Sequence, residues 1–246
     1  MSTVFVTATG TEVGKTVVAR GLIKELRAQG RPVEALKPVV SGYDPHEAAG
    51  SDPGLLLTAL GEPITPDGIA RISPFRFTAP VSPHLAARRE GKKIDFNAVV
   101  ELCRWRMQSC PGALIIEGVG GVMAPLEDHR TVLDWMVALG QPIILVAGSY
   151  LGTLSHTFSA VDVLERRGIS IAALVVNETA GSPVSFSDTV ESIRTFCPNL
   201  DVQGLPWLGN GNFNNAVFQH LAAKFTIESI DGGQGQPDLL RNHGAA

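Results

Sequence analysis

Cysteine is scarce in this chain: Cys103, Cys110 and Cys197 are the only thiols in 246 residues. They form neither an even-numbered framework nor a C-x-x-C pair, which excludes a disulfide-stapled scaffold and a cysteine-rich metal module. They read as reduced thiols of a cytoplasmic protein, packed as small apolar side chains. An excess of charge of one sign is missing too. Twenty basic against twenty-four acidic residues leave a net charge of −4, so no positive field draws a polyanion and nucleic-acid binding is not expected. Long hydrophobic runs are absent. The apolar stretch 143–147 falls far short of a membrane span. Residues 1–3 lead straight into apolar sequence, without the basic region and cleavage site of a secretory signal. There is no internal repeat. The expectation is a cytoplasmic protein without a membrane partner.

What is present suits a large core. Apolar residues make up 44 % of the chain and charged ones 18 %, which rules out wholesale disorder. Short β-branched runs at 4–7, 33–40, 113–117, 143–147, 171–177 and 202–205 are apolar nearly throughout, as strands are when both faces are covered. Helical stripes lie between several of them. Residues 15–29 carry Val18, Ala19, Leu22, Ile23 and Leu26 on one side and stop at Gly30; residues 153–167 carry Phe158, Val161 and Leu164 and stop at Gly168. The alternation predicts a doubly wound, mostly parallel α/β sheet with helices on both faces. The segment 41–71, rich in Gly, Pro and Asp, is expected to loop over the carboxyl ends of the strands around one short helix, 52–60, with Pro53 at its first position. One domain over 1–228 and a mobile tail over 229–246, where Asp, Gly, Gln, Pro and Asn take over, complete the expectation.

The first strand runs into Gly10-Thr11-Glu12-Val13-Gly14-Lys15-Thr16-Val17 and then at once into a helix. Gly14-Lys15-Thr16 is the end of a phosphate-binding loop. Backbone N–H groups converge there on an anion at the positive end of a helix dipole. Lys15 would reach the β- and γ-phosphates, and the Thr16 hydroxyl would ligate Mg²⁺. The general pattern places a glycine where Thr9 stands, and a glycine turn with a surface lysine is the plain alternative. A Mg²⁺–triphosphate complex also needs carboxylates near Thr16. Glu117 closes a buried strand ahead of Gly118-Val119-Gly120-Gly121, where the crevice of such sheets lies; a solvent-facing strand end is the other reading. Asp52 opens the short helix and could serve as a ligand or only as a cap. Lys37 interrupts an apolar strand before Pro38. It either meets an anion, because an unpaired buried ammonium costs several kcal/mol, or reaches water from an edge strand.

These residues, together with Lys37-Pro38-Val39-Val40-Ser41-Gly42, Ser51-Asp52, Pro80-Val81-Ser82-Pro83-His84, Val176-Asn177 and Pro206-Trp207-Leu208, occur in the order seen in dethiobiotin synthetases, which the chain resembles over residues 3–224. The resemblance implies a P-loop fold and a homodimer that closes the ureido ring of dethiobiotin from 7,8-diaminononanoate, CO₂ and ATP with Mg²⁺. It implies that Thr16, Asp52 and Glu117 hold Mg²⁺, and that Thr11, Lys15 and Lys37 face the carbamate and γ-phosphate. Ser41 and Gly118 would lie on the diamine side. Asn177 and the backbone of Pro206, Trp207 and Leu208 would recognise adenine. The substrate carboxylate would meet Ser149, Tyr150, Leu151, Gly152 and Ser155 of the second subunit.

The chain departs from that pattern at Ala8 and Gly10, where the family has glycine and aspartate, and it has no acid between Trp207 and Phe218. A glutamine-dependent relative would need a nucleophilic cysteine, and none has a fitting context. A partitioning-type switch ATPase would carry a second lysine early in the loop, where Ala8, Thr9, Gly10 and Thr11 stand.

Overall fold

The apolar runs lie side by side in the computed structural model, which describes residues 2–209 and 211–225; the expected tail, 229–246, lies outside the described residues. Strands β1 (Thr3–Ala8), β2 (Val33–Leu36), β5 (Ala113–Glu117), β6 (Ile143–Gly148), β7 (Ile171–Asn177) and β8 (Val202–Leu205) form one sheet in the order β2-β5-β1-β6-β7-β8. Every pairing is parallel. Successive side chains of β1 enter opposite cores: Phe5 joins one, and Val4, Val6 and Ala8 the other. That is the pleat of a strand covered on both faces.

Helices α1 (Lys15–Ala28), α2 (Asp52–Leu60), α3 (Pro66–Ile72) and α9 (Ala216–Ala223) cover one face. Across the sheet lie α4 (Pro83–Arg89), α5 (Phe96–Ser109), α6 (Val132–Leu139), α7 (Thr153–Arg166) and α8 (Phe186–Phe196). Trp135 of α6 packs edge-on against Phe5 with ring centroids 4.8 Å apart. The chain leaves β1 toward β5 and β2 and later crosses to β6, so the order reverses beside β1. That reversal opens a crevice at the carboxyl ends of the strands.

Two local expectations need correction. Residues 33–40 do not form one strand. The chain leaves the main sheet after Leu36, and β3 (Val39–Ser41) pairs instead with β4 (Phe75–Phe77) in a separate two-stranded parallel sheet. Pro38 has no N–H to offer a ladder, and the Lys37 amide donates to the Ile72 carbonyl, outside the sheet. The segment 41–71 carries more than one helix: a 3₁₀ turn (Pro45–Glu47), α2 and the start of α3. Thr65 caps α3 by accepting from the Gly68 amide, with Pro66 in the first turn. Helix α2 has the expected bounds, but Ser51 caps it, so Asp52 is its first residue and Pro53 its second.

Helix α1 reaches α9 through Gly21. A Cβ there would lie 2.1 Å from the ring of Phe218, which has no exposed surface. Gly21→Ala improves helix propensity by about 1 kcal/mol, but overpacking costs about 1–3 kcal/mol. The expected net result is a thermal midpoint lowered by a few degrees, at roughly 2–4 °C per kcal/mol for a chain of this size. A midpoint equal to or above wild type would show that the ring yields.

Candidate active site

The loop between β1 and α1 turns through two left-handed residues, Glu12 at φ 59° and Gly14 at φ 105°. Only glycine fits at the second. It adopts that φ without penalty, and a Cβ would fall 2.3 Å from Asn177 Nδ2. Gly14 is the N-cap of α1 and no side chain caps the helix, so the amides of its first turn remain available to an anion. Gly10 is under no such constraint, since a Cβ there meets nothing within 4 Å. Its carbonyl accepts from Lys15 Nζ at 3.1 Å. Burial, and then the charge of Lys37, bring the Lys15 ammonium down to about 8, against the opposing pull of Glu117 and Asp52.

Lys37 sits just past the edge strand β2, yet it is only 2 % exposed and does not reach water. Its Nζ lies 2.7 Å from Glu117 Oε1 and 2.9 Å from Asp52 Oδ2, and donates to the Gly118 carbonyl at 2.8 Å. Burial works against its charge, but the two carboxylates outweigh burial and raise its pKa above the usual lysine value. Burial likewise opposes the charge on Asp52, and Lys37 overcomes it, holding that carboxyl low. Thr16 Oγ1 lies 2.8 Å from Asp52 Oδ1 and 2.7 Å from Glu117 Oε1. One hydroxyl proton cannot serve both acceptors. Glu117 Oε2 is buried with no hydrogen-bond partner. A hydroxyl between two carboxylates, with an unsatisfied carboxylate oxygen beside it, is a donor set that suits a hard divalent cation. Among the described residues no group of three or more His, Cys, Asp or Glu gathers to hold a metal. The remaining ligands would therefore be water and phosphate oxygens, as Mg²⁺ prefers.

A cavity of about 540 Å³ opens over this cluster. The loop supplies Thr11, Glu12, Gly14, Lys15, Thr16 and Val17 to its lining, joined by Lys37, Ser41 and Asp52. The far wall includes residues 80–83, Val119, Gly120 and Ala124. Asn177 stands behind the loop, with Nδ2 donating to the Val13 carbonyl at 3.2 Å. The residues 206–208 do not line this cavity. They follow β8, and the Trp207 amide donates to the carboxylate of Glu178 at 2.8 Å. Glu178 escapes notice in the sequence because nothing local links it to a partner 29 residues away. The segment 149–155 also lies outside the cavity. Ser149 and Thr179 exchange hydrogen bonds, Tyr150 meets His156, and Leu151 is 81 % exposed.

A parallel α/β sheet with a glycine-lysine-threonine loop between its first strand and helix, and carboxylates at the carboxyl ends, defines a P-loop nucleotide-binding protein. The chain matches the AAA domain family over residues 2–224. It belongs to that family and to the dethiobiotin synthetases. It is 49 % identical over 194 residues to the ATP-dependent dethiobiotin synthetase BioD of Acidiphilium cryptum, covering 78 % of this chain and 87 % of that one. With the enzyme of the same name from Caulobacter vibrioides (strain NA1000 / CB15N), identity is 44 % over 218 residues, covering 88 % and 98 %. Solved structures share the fold at low identity. A ParA family ATPase from Chlorobium tepidum has a TM-score of 0.51 at 12 % identity, covering 92 % of this chain and 95 % of that one. The MinC:MinD complex of Aquifex aeolicus also scores 0.51, at 10 % identity, covering 90 % and 86 %.

Removing one partner of a buried ion pair leaves the other uncompensated. Lys37→Ala is expected to cost about 3–5 kcal/mol in urea unfolding of the nucleotide-free protein. The double variant Lys37→Met/Glu117→Gln removes both charges and is expected to recover most of that. An equal loss in the double variant would show that charge compensation is not what the lysine supplies.

Proposed function

We propose that this chain is an ATP-dependent ligase that closes the ureido ring of dethiobiotin from 7,8-diaminononanoate and CO₂. Membership of the dethiobiotin synthetases supports the reaction, and the observation that carries the site is the pair Lys15 and Lys37 lining one cavity with Thr16 and Asp52. The diamine takes up CO₂ as a carbamate without ATP. The γ-phosphoryl group then passes to a carbamate oxygen, and the second amine attacks the mixed anhydride, expelling phosphate and closing the ring. No covalent intermediate with the protein is required, because the residues act by positioning and by balancing charge.

Lys15 and the free amides of the first turn of α1 hold the terminal phosphates. Lys37 and Thr11 meet the carbamate side, and Ser41 and Gly118 face the diamine. Mg²⁺, held by Thr16, Asp52 and Glu117, would offset the negative charge of the phosphates. Asn177 and the backbone of residues 206–208 receive the nucleoside. The working form is a homodimer in the cytoplasm, in which Ser149, Tyr150, Leu151, Gly152 and Ser155 of the partner receive the substrate carboxylate. The lack of a side-chain cap at Gly152 and the exposure of Leu151 support that placement. Among the described residues no helix is long and apolar enough to cross a membrane.

Purified protein is expected to release ADP only when both diaminononanoate and bicarbonate are present. Equal ATP hydrolysis without the diamine would overturn the reading. Lys15→Ala is expected to lower kcat/KM by about 10²–10³, the order of one lost charged contact in a transition state.

A pH dependence follows from Lys15. Its ammonium loses its proton near 8 in the free protein, and a bound triphosphate favours the charged form. Binding then takes up a proton, so ATP affinity in metal-free buffer falls as pH rises through about 8. Calorimetry in buffers of different ionisation enthalpy would detect that uptake. Affinity independent of pH between 7 and 9 would assign the phosphate contact elsewhere (a window of about one unit either side of the shifted value).

A further inference from the structure

Asn177 is the last residue of β7, paired with Gly148 of β6 on one side and Leu205 of β8 on the other. Its main chain is therefore fixed by two neighbouring strands. Its side chain reaches a segment 164 residues earlier, where Nδ2 donates to the Val13 carbonyl at 3.2 Å. A carbonyl can only accept, so the amide must present its nitrogen there. Gly14, the next residue, rests against the same amide: a Cβ would lie 2.3 Å from Nδ2 and 2.9 Å from Cγ. Hydrogen bond and steric contact thus act on the two residues that immediately precede Lys15 and Thr16.

We propose that Asn177 is a positioning residue for the phosphate loop, beyond any contact it makes with a nucleoside. It holds the Val13–Gly14 peptide in the left-handed turn that starts α1. That turn aims the first-turn amides, Lys15 and Thr16 at one point. The loop carries a conformational cost that such a contact offsets, since Glu12 occupies a left-handed conformation that non-glycine residues adopt at a cost. Because one amide bridges the loop and the end of β7, occupation of the nucleoside side is coupled to the geometry of the phosphate side. The kinetic consequence rests on the proposed ligase reading; the structural one does not.

Asn177→Ala removes the donor, and Asn177→Asp keeps the size of the side chain but sets a carboxylate against the Val13 carbonyl. In nucleotide-free protein, both variants are expected to raise hydrogen exchange severalfold across residues 18–20, where the Val18 amide donates to the Gly14 carbonyl at 3.0 Å. Segments 143–148 and 171–176 should keep wild-type protection, because local opening is reported segment by segment. With saturating ATP, diaminononanoate and bicarbonate, kcat is expected to fall by about 10–100-fold, the cost of misplacing groups that act by position. Wild-type exchange over 18–20, with only KM for ATP raised, would reduce Asn177 to a nucleoside contact and overturn the proposal. Faster exchange throughout the sheet would overturn it as well, making Asn177 a support of the sheet. The exchange measurement needs no substrate, so a failure of the ligase reading would leave this result standing and distinguishable.

Discussion

The buried ammonium of Lys37 is the interaction on which the rest of the site depends. Taking one ammonium and one carboxylate out of water costs several kcal/mol per ion. The molecule offsets that cost by converging Glu117, Asp52 and the Gly118 carbonyl on a single nitrogen. Four elements are tied together as a result: the exit of β2, the end of β5, the first residue of α2 and, through Thr16, the start of α1. Two ammonium groups and two carboxylates leave the cluster formally neutral, yet neither its charges nor its oxygens are fully matched. The mismatch is concentrated at the orphaned Glu117 Oε2 and at Lys15, whose ammonium burial depresses.

The same arrangement explains why the fold diverts its chain after β2. A strand continued through Pro38 would lack an amide for the ladder and would place Lys37 opposite Glu117, the last residue of β5. By leaving the sheet at Leu36, the chain turns Lys37 inward and starts the small β3–β4 sheet, from which Ser41 and the turn at 80–83 face the cavity. Helix α2 comes close for a related reason. Gly54 rests against the Ala48 carbonyl, where a Cβ would lie at 1.9 Å, and this lets Asp52 approach Lys37.

The departures from the family loop find physical readings here. Gly10 contributes its carbonyl to Lys15 and has open space where a side chain would sit, so crowding does not dictate the glycine. No acid lies between Trp207 and Phe218, and the carboxylate of Glu178 comes from the end of β7 to meet the Trp207 amide. At ten to twelve per cent identity, the likeness to ParA and MinD structures concerns the scaffold.

By itself, the sequence determined what neighbouring residues can encode. Apolar runs, 3.6-residue stripes and terminal glycines placed most strands and the helices α1, α2 and α7, and a glycine-lysine-threonine turn between strand and helix marked the phosphate loop. Asp52 and Lys37 each kept two readings at that level, because a cap and a ligand, or a paired and a solvated lysine, look alike in one dimension. Tertiary structure pairs the lysine with two carboxylates and makes Ser51, not Asp52, the cap of α2. Positions 16, 37, 52 and 117 meet only when parallel strands bring their carboxyl ends together, and Val13 meets Asn177 only across the order β1-β6-β7. Periodicity and turn chemistry are properties of adjacent residues. The balance of buried charge depends on distances that only the packed chain defines.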